Sequence, residues 1–163
     1  MSFLESLQPC HQMHGYYIYN VYRKITPEIE TEAVDLWQRN RILPRGVDPR
    51  ARAKEIVMMI VKDGVLVGVS TVSITKLSEA GIDDPYKRDF YFYRMFIESS
   101  SRTSMLFIKV AQFTREFLQD FMSKKDEVAG IAHIITNKKA GGSGLKKIYA
   151  QRGYETHHKT PEG

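Results

Sequence analysis

Apolar residues recur along this chain in two rhythms, and the switch between them marks out its elements. Between residues 89 and 97 the sequence reads Asp-Phe-Tyr-Phe-Tyr-Arg-Met-Phe-Ile. Phe90, Phe92, Arg94 and Phe96 fall on one side of an extended backbone, and Tyr91, Tyr93, Met95 and Ile97 on the other. Both sides are apolar apart from Arg94, which predicts a central strand covered on both faces. From Met105 to Met122 the spacing changes to threes and fours. Leu106, Val110, Phe113, Phe117 and Phe121 make one stripe, widened by Ala111, Leu118 and Met122. That period predicts an amphipathic helix. Glu98-Ser-Ser-Ser-Arg-Thr-Ser104 lies between, polar and short-chained, suited to turns and helix capping. Strand, small-residue loop and helix together aim backbone N–H groups and the positive end of a helix dipole past the strand's carboxyl end. Such an arrangement suits an anion.

The rest of the chain yields to the same logic. Tyr16 to Ile25 is rich in Tyr, Val and Ile and predicts a strand. Thr26-Pro27, with Glu28 and Glu30 just after, starts a helix whose buried side is Ile29, Ala33, Leu36 and Trp37 and which ends before Pro44. Glu55 to Lys62 and Val65 to Leu77 flank Asp63-Gly64, the signature of a hairpin. Residues 78 to 88 read as a polar loop. After the long helix come a turn at Lys124 to Glu127, a short strand at Val128 to Thr136 and a break at Gly141 to Gly144. A short helix at Leu145 to Arg152, ended by Gly153, and a last strand at Tyr154 to His158 follow. Residues 1 to 15 read as an N-terminal extension and 157 to 163 as a fraying tail. The expected architecture is a single α/β domain over residues 1 to 163, with one mixed, mostly antiparallel central sheet flanked by helices on both faces.

Composition narrows the classes. A chain of 163 residues, 42% apolar and 26% charged, suits one globular domain with its own core. No apolar run approaches the length of a membrane span, and no basic region leads into an apolar one near the start, so a cytoplasmic protein is expected. The single Cys10 excludes an intrachain disulfide. Net charge is +5 and the isoelectric point is near 9.3, a balance that favours acidic partners. Positive charge is densest at Arg39, Arg41, Arg45, Arg50 and Arg52, among Pro44, Gly46 and Pro49. That segment reads either as a loop gripping carboxylate, phosphate or a nucleic-acid partner, or as a solvated loop and short helix. No aromatic residues interleave it as on a single-strand-binding surface. Cys10, His11 and His14 near one end and His157 and His158 near the other match no zinc spacing, so no metal is expected. Phosphate-loop, dinucleotide and nucleophile-elbow motifs are absent from the sequence.

Two local patterns carry a resemblance. Asn137-x-x-Ala140, then Tyr149-Ala-Gln-Arg-Gly153-Tyr154, and Arg102 directly after the central strand, are similar to motifs of the GCN5-related N-acetyltransferase superfamily. There the ending reads Asn-x-x-Ala, then Tyr-x-x-x-Gly-Phe, and the loop reads Arg/Gln-x-x-Gly-x-Gly/Ala. The order of elements from about residue 16 to 156 resembles the family too. The resemblance implies acyl transfer from acetyl-CoA to a primary amine of a small molecule or protein by direct attack. It implies that backbone at Met95, Phe96 and Ile97 holds the pantetheine amides and that Arg102, Thr103, Ser104 and Met105 surround the diphosphate. Asn137 would join the cofactor site, and Tyr149 would protonate the departing thiolate. Glu98, at the strand exit, is placed to take the amine proton through water; its alternative is an ion pair with Arg102. His133 is a second candidate base whose alternative is a core histidine. The chain departs from the pattern at Met105 and Phe107. Glycine there lets backbone approach a diphosphate with no side chain between. Gly141 to Leu145 is also extra between Ala140 and Tyr149. These departures define a second expectation: a domain that keeps the fold without the cofactor and serves as a binding or assembly module, viral or nucleic-acid-associated.

Overall fold

The computed structural model of the chain describes Leu4 and residues 6–122 and 128–132. These residues form a six-stranded sheet. Its strands are β1 (His11–Met13), β2 (Tyr16–Asn20), β3 (Ile56–Lys62), β4 (Val65–Lys76), β5 (Asp89–Ile97) and β6 (Ile131–Ala132), side by side in chain order. All neighbours are antiparallel except β5 and β6, which are parallel. Helices α1 (Pro27–Asn40) and α2 (Pro49–Ala53) pack on one face, and α3 (Ser104–Met122) on the other.

Local chemistry explains the elements. Thr26, in extended conformation, accepts the Ile29 N–H through Oγ1 at 3.4 Å, and Pro27 opens α1 where no backbone donor is required. The helix stops at Arg41, a left-handed residue (φ 52°) whose N–H turns back to the carbonyls of Trp37 and Gln38. Ile29, Ala33, Leu36 and Trp37 are buried as their spacing predicts, against Ile56, Met59, Leu66 and Val69 of the sheet. On the opposite face Leu106, Val110 and Leu118 of α3 meet Ile18, Ile60, Tyr91 and Tyr93. β5 is therefore the two-sided strand its sequence predicts: Tyr91, Tyr93 and Ile97 enter the α3 core, and Phe96 packs on the α1 core.

Asp63 (φ 50°) and Gly64 (φ 76°) close the β3–β4 hairpin with both central residues left-handed, the two-residue turn that matches strand twist. His14 (φ 47°) and Gly15 (φ 81°) do the same between β1 and β2, a hairpin not expected from the sequence. Residues 11 to 13 are thus an edge strand rather than a free extension, and the His11 ring stacks on Phe113 of α3 at 3.6 Å. The strand expected to run from Tyr16 to Ile25 ends at Asn20, whose Oδ1 accepts the Tyr22 N–H, and Arg23 (φ 59°) turns the chain toward α1.

Two irregularities interrupt the β3–β4 ladder. At the first, Met58 donates its N–H to Ser70 Oγ (3.2 Å), and Ser70 Oγ lies 3.0 Å from Thr114 Oγ1 of α3. Thr114 spends its one hydroxyl hydrogen on the Val110 carbonyl, 2.8 Å away, so Ser70 must be the donor between the two hydroxyls. The second lies beside Gly68, where a Cβ would stand 2.8 Å from the Phe96 carbonyl oxygen. The turn expected at residues 124 to 127 and the elements expected beyond residue 132 lie outside the described residues.

Candidate functional site

The site grows out of the carboxyl end of β5. The Tyr91 N–H reaches the Gly130 carbonyl (2.9 Å) and the Asp89 carbonyl receives the Ala129 N–H (2.8 Å), so odd-numbered peptide groups face the β6 side. The Glu98 N–H reaches the Val67 carbonyl (2.8 Å), so even-numbered ones face β4. Met95 and Ile97 therefore present their peptide groups away from β4, whereas those of Phe96 belong to the β4 ladder and its ring is what it offers. The described part of β6 ends at Ala132, opposite Phe92; the sheet beside Met95 to Ile97 lies outside the described residues. Arg102 folds back over the strand end. Its Nε donates to the Ile97 carbonyl at 2.7 Å, and its guanidinium sits 5.6 Å from the centre of the Phe96 ring.

Between strand and helix, Ser99–Ser101 make one tight turn with Ser101 buried. Thr103 caps α3: its hydroxyl accepts the Leu106 N–H at 3.2 Å. Ser104 opens the helix, whose first N–H groups have no intrahelical acceptor by construction. The two bulky residues part company here. Phe107 is half-buried, packed against the α3 core, whereas Met105 is 51% exposed at the helix opening.

Glu98 does not pair with Arg102. Its Oε1 accepts Arg39 Nε (2.7 Å) and Asn40 Nδ2 (2.9 Å), both from the last turn of α1. Arg39 is itself tied by Nη2 to the Leu66 carbonyl. Burial works to raise the Glu98 carboxyl, but the hydrogen bonds from Asn40 and Arg39 and the charge of Arg39 outweigh it and hold the group below its ordinary value. Oε2 takes no hydrogen bond among the described residues. Glu98 is thus an anchored carboxylate with one oxygen available to a cation.

The arginine-rich segment divides. Arg39 pairs with Glu98, Arg50 with Glu30 (2.7 Å) and Arg52 with Glu55 (2.9 Å), while Arg41 and Arg45 are exposed. Asn137, Tyr149 and His133 lie outside the described residues, as do His157 and His158 of the metal set weighed from the sequence. Cys10 donates its thiol to the Ile18 carbonyl (3.2 Å). Sequence reasoning missed Arg39 and Asn40 as partners of Glu98; the spacing of 59 and 58 residues carries no local signal.

No family model and no curated protein matches the sequence. Solved structures do match. The glucosamine-6-phosphate N-acetyltransferase of Arabidopsis thaliana aligns with a TM-score of 0.54 at 12% identity, over 89% of this chain and 95% of that one. The aminoglycoside N-acetyltransferase AAC(6′)-Iy, in complex with coenzyme A, aligns with a TM-score of 0.55 at 17% identity, over 89% and 91%. An aminoglycoside acetyltransferase from an uncultured soil metagenomic sample aligns with a TM-score of 0.57 at 8% identity, over 90% and 92%. The chain has the fold of the GCN5-related N-acetyltransferases, with β5, its capped loop and α3 as the central unit. No helix among the described residues is long and apolar enough to cross a membrane.

Proposed function

We propose that this protein is an acetyl-CoA-dependent N-acetyltransferase acting on a primary amine of a small molecule or protein. The carrying observation is the exit of β5, where the peptide groups of Met95 and Ile97 face away from β4 and lead into Arg102 and the Thr103-capped start of α3. These residues fit the carrier: extended backbone for its amides, then a guanidinium and helix N–H groups for its diphosphate. When bound, acetyl-CoA supplies an acyl group activated as a thioester. Glu98 receives the acceptor's ammonium at Oε2 and takes its proton through water, which frees the nitrogen lone pair for attack on the carbonyl. Tyr149 returns a proton to the sulfur that leaves. A carboxylate held below its ordinary pKa is a modest base but a firm cation anchor, so Glu98 serves first to position the amine.

One observation favours a second reading, a binding module with this fold. Met105 stands exposed at the helix opening, where the family pattern has no side chain. Thermal unfolding separates the two. Millimolar acetyl-CoA should raise the melting temperature, because a ligand of the folded state alone stabilises it. Glu98→Gln should then cut kcat/KM while leaving that rise in place. No rise, and no competition by free coenzyme A, would hand the protein to the second reading.

A further inference from the structure

One face of β5 carries a row of phenyl rings beneath guanidinium groups. Arg88 lies over Phe90 at 5.6 Å, Arg94 over Phe92 at 4.7 Å and Arg102 over Phe96 at 5.6 Å. Arg88 has its own carboxylate, Asp84, at 3.0 Å. Arg94 does not. Its Nη1 donates to neutral Ser73 Oγ (3.0 Å) and to the Phe92 carbonyl (3.5 Å), and its acidic partner among the described residues is Glu55 Oε2 at 3.9 Å. That same oxygen already accepts Arg52 Nη1 at 2.9 Å. Two guanidinium groups share one carboxylate oxygen, so the cluster keeps an excess positive charge.

The cluster is also partly withdrawn from water: the side chains of Arg52, Glu55 and Arg94 are 18%, 30% and 40% exposed. Excess charge is less well screened there than on open surface. Burial, and the proximity of Arg52, push the Arg94 guanidinium below its ordinary value in spite of Glu55. What satisfies two converging guanidinium groups is an oxyanion, which each can bind by a fork of parallel N–H donors. Glu98 lies one residue past the end of β5, four residues or about 13 Å of extended chain beyond Arg94. An anionic group at one and an amine at the other fit the two ends of a single molecule.

We infer that Arg52 and Arg94 form an oxyanion site that receives a carboxylate or phosphate group of the acceptor; its link to an acceptor rests on the acetyltransferase reading. The test needs no acetyl-CoA. The melting temperature is followed as inorganic phosphate, or in a second arm acetate, replaces chloride at constant ionic strength. The wild type should be stabilised, and the stronger arm identifies the preferred oxyanion. Arg52→Gln and Arg94→Gln should each weaken the apparent affinity on the order of tenfold or more, the loss of charge-assisted hydrogen bonds. Glu55→Gln should strengthen it, because the competing carboxylate is gone; a merely structural role for the cluster would not produce these opposite signs. Lys24→Gln, an equal loss of charge at an exposed position outside the cluster, should leave the effect intact. If Arg94→Gln does not fold, Arg52→Gln and Glu55→Gln still carry the test. No stabilisation of the wild type, stabilisation undiminished in Arg52→Gln, or its loss in Lys24→Gln overturns the site. Should acetyl-CoA fail to bind while the Arg52 and Glu55 variants behave as stated, the oxyanion site stands and only its link to acetyl transfer falls.

Discussion

Ser70→Ala tests how α3 is locked to the sheet. Ser70 Oγ is the acceptor for the Met58 N–H at the β3 irregularity and the donor to Thr114 Oγ1, and both hydroxyl residues are fully buried. Alanine removes that acceptor and leaves the Met58 N–H with no partner in the core, at a cost of about 1–3 kcal/mol. Thr114 keeps its bond to Val110, so its share of the loss is small. A central expectation of about 2 kcal/mol lowers the melting temperature by roughly 4–8 °C for a domain of this size. Thr114→Val keeps the side-chain shape but takes away both the acceptor of the Ser70 hydroxyl and the bond to the Val110 carbonyl, costing about 1–2 kcal/mol. Once Ser70 is alanine, Thr114→Val no longer costs the bond between the two hydroxyls, so the double variant falls short of the sum by about 1 kcal/mol. Urea unfolding monitored by Trp37 fluorescence reads all three, with an unchanged slope. A Ser70→Ala midpoint within error of the wild type, or strict additivity, would refute this hydrogen-bond chain.

Two further outcomes follow. Gly68→Ala puts a Cβ 2.8 Å from the Phe96 carbonyl oxygen and 3.0 Å from Ile60 Cδ1; backbone on a neighbouring strand cannot yield without parting β4 from β5, so denaturant unfolding should show a loss of about 1–3 kcal/mol. A variant as stable as the wild type would show that the strands have room to separate. Asp84 is held below its ordinary pKa, first by its hydrogen bond to Arg88 and further by the Tyr86 and Arg88 N–H groups, against an opposing effect of burial. Its contribution is complete above the ordinary carboxylate pKa of about 3.9 and is lost as pH falls through the depressed folded value. Amide exchange at Tyr86 and Arg88 should keep its protection down to about that pH, and Asp84→Asn should lose it at neutral pH; protection that fades between about pH 6 and 5 would contradict this sign.

The chain's own order of residues determined the elements whose signals act over one turn or one strand. Thr26, Pro27 and the four buried positions of α1 announce that helix, Asp63-Gly64 announces its hairpin, and the alternation through β5 and the stripe along α3 announce the central unit. His14-Gly15 follows the same turn rule, but a three-residue edge strand is too short to display a period. Tertiary structure alone decided which charges meet. Glu98 could as well have taken Arg102 from the next turn; it takes Arg39 and Asn40 because α1 ends over the exit of β5. Arg52, Glu55 and Arg94 converge because the last turn of α2 and the residue before β3 meet Arg94 of that strand. The same packing drew Phe107 into the core and left Met105 outside. Hydrogen-bond ladders and helical turns write their period into the sequence. The meeting of distant element ends depends on how whole faces pack, which leaves no spacing to read.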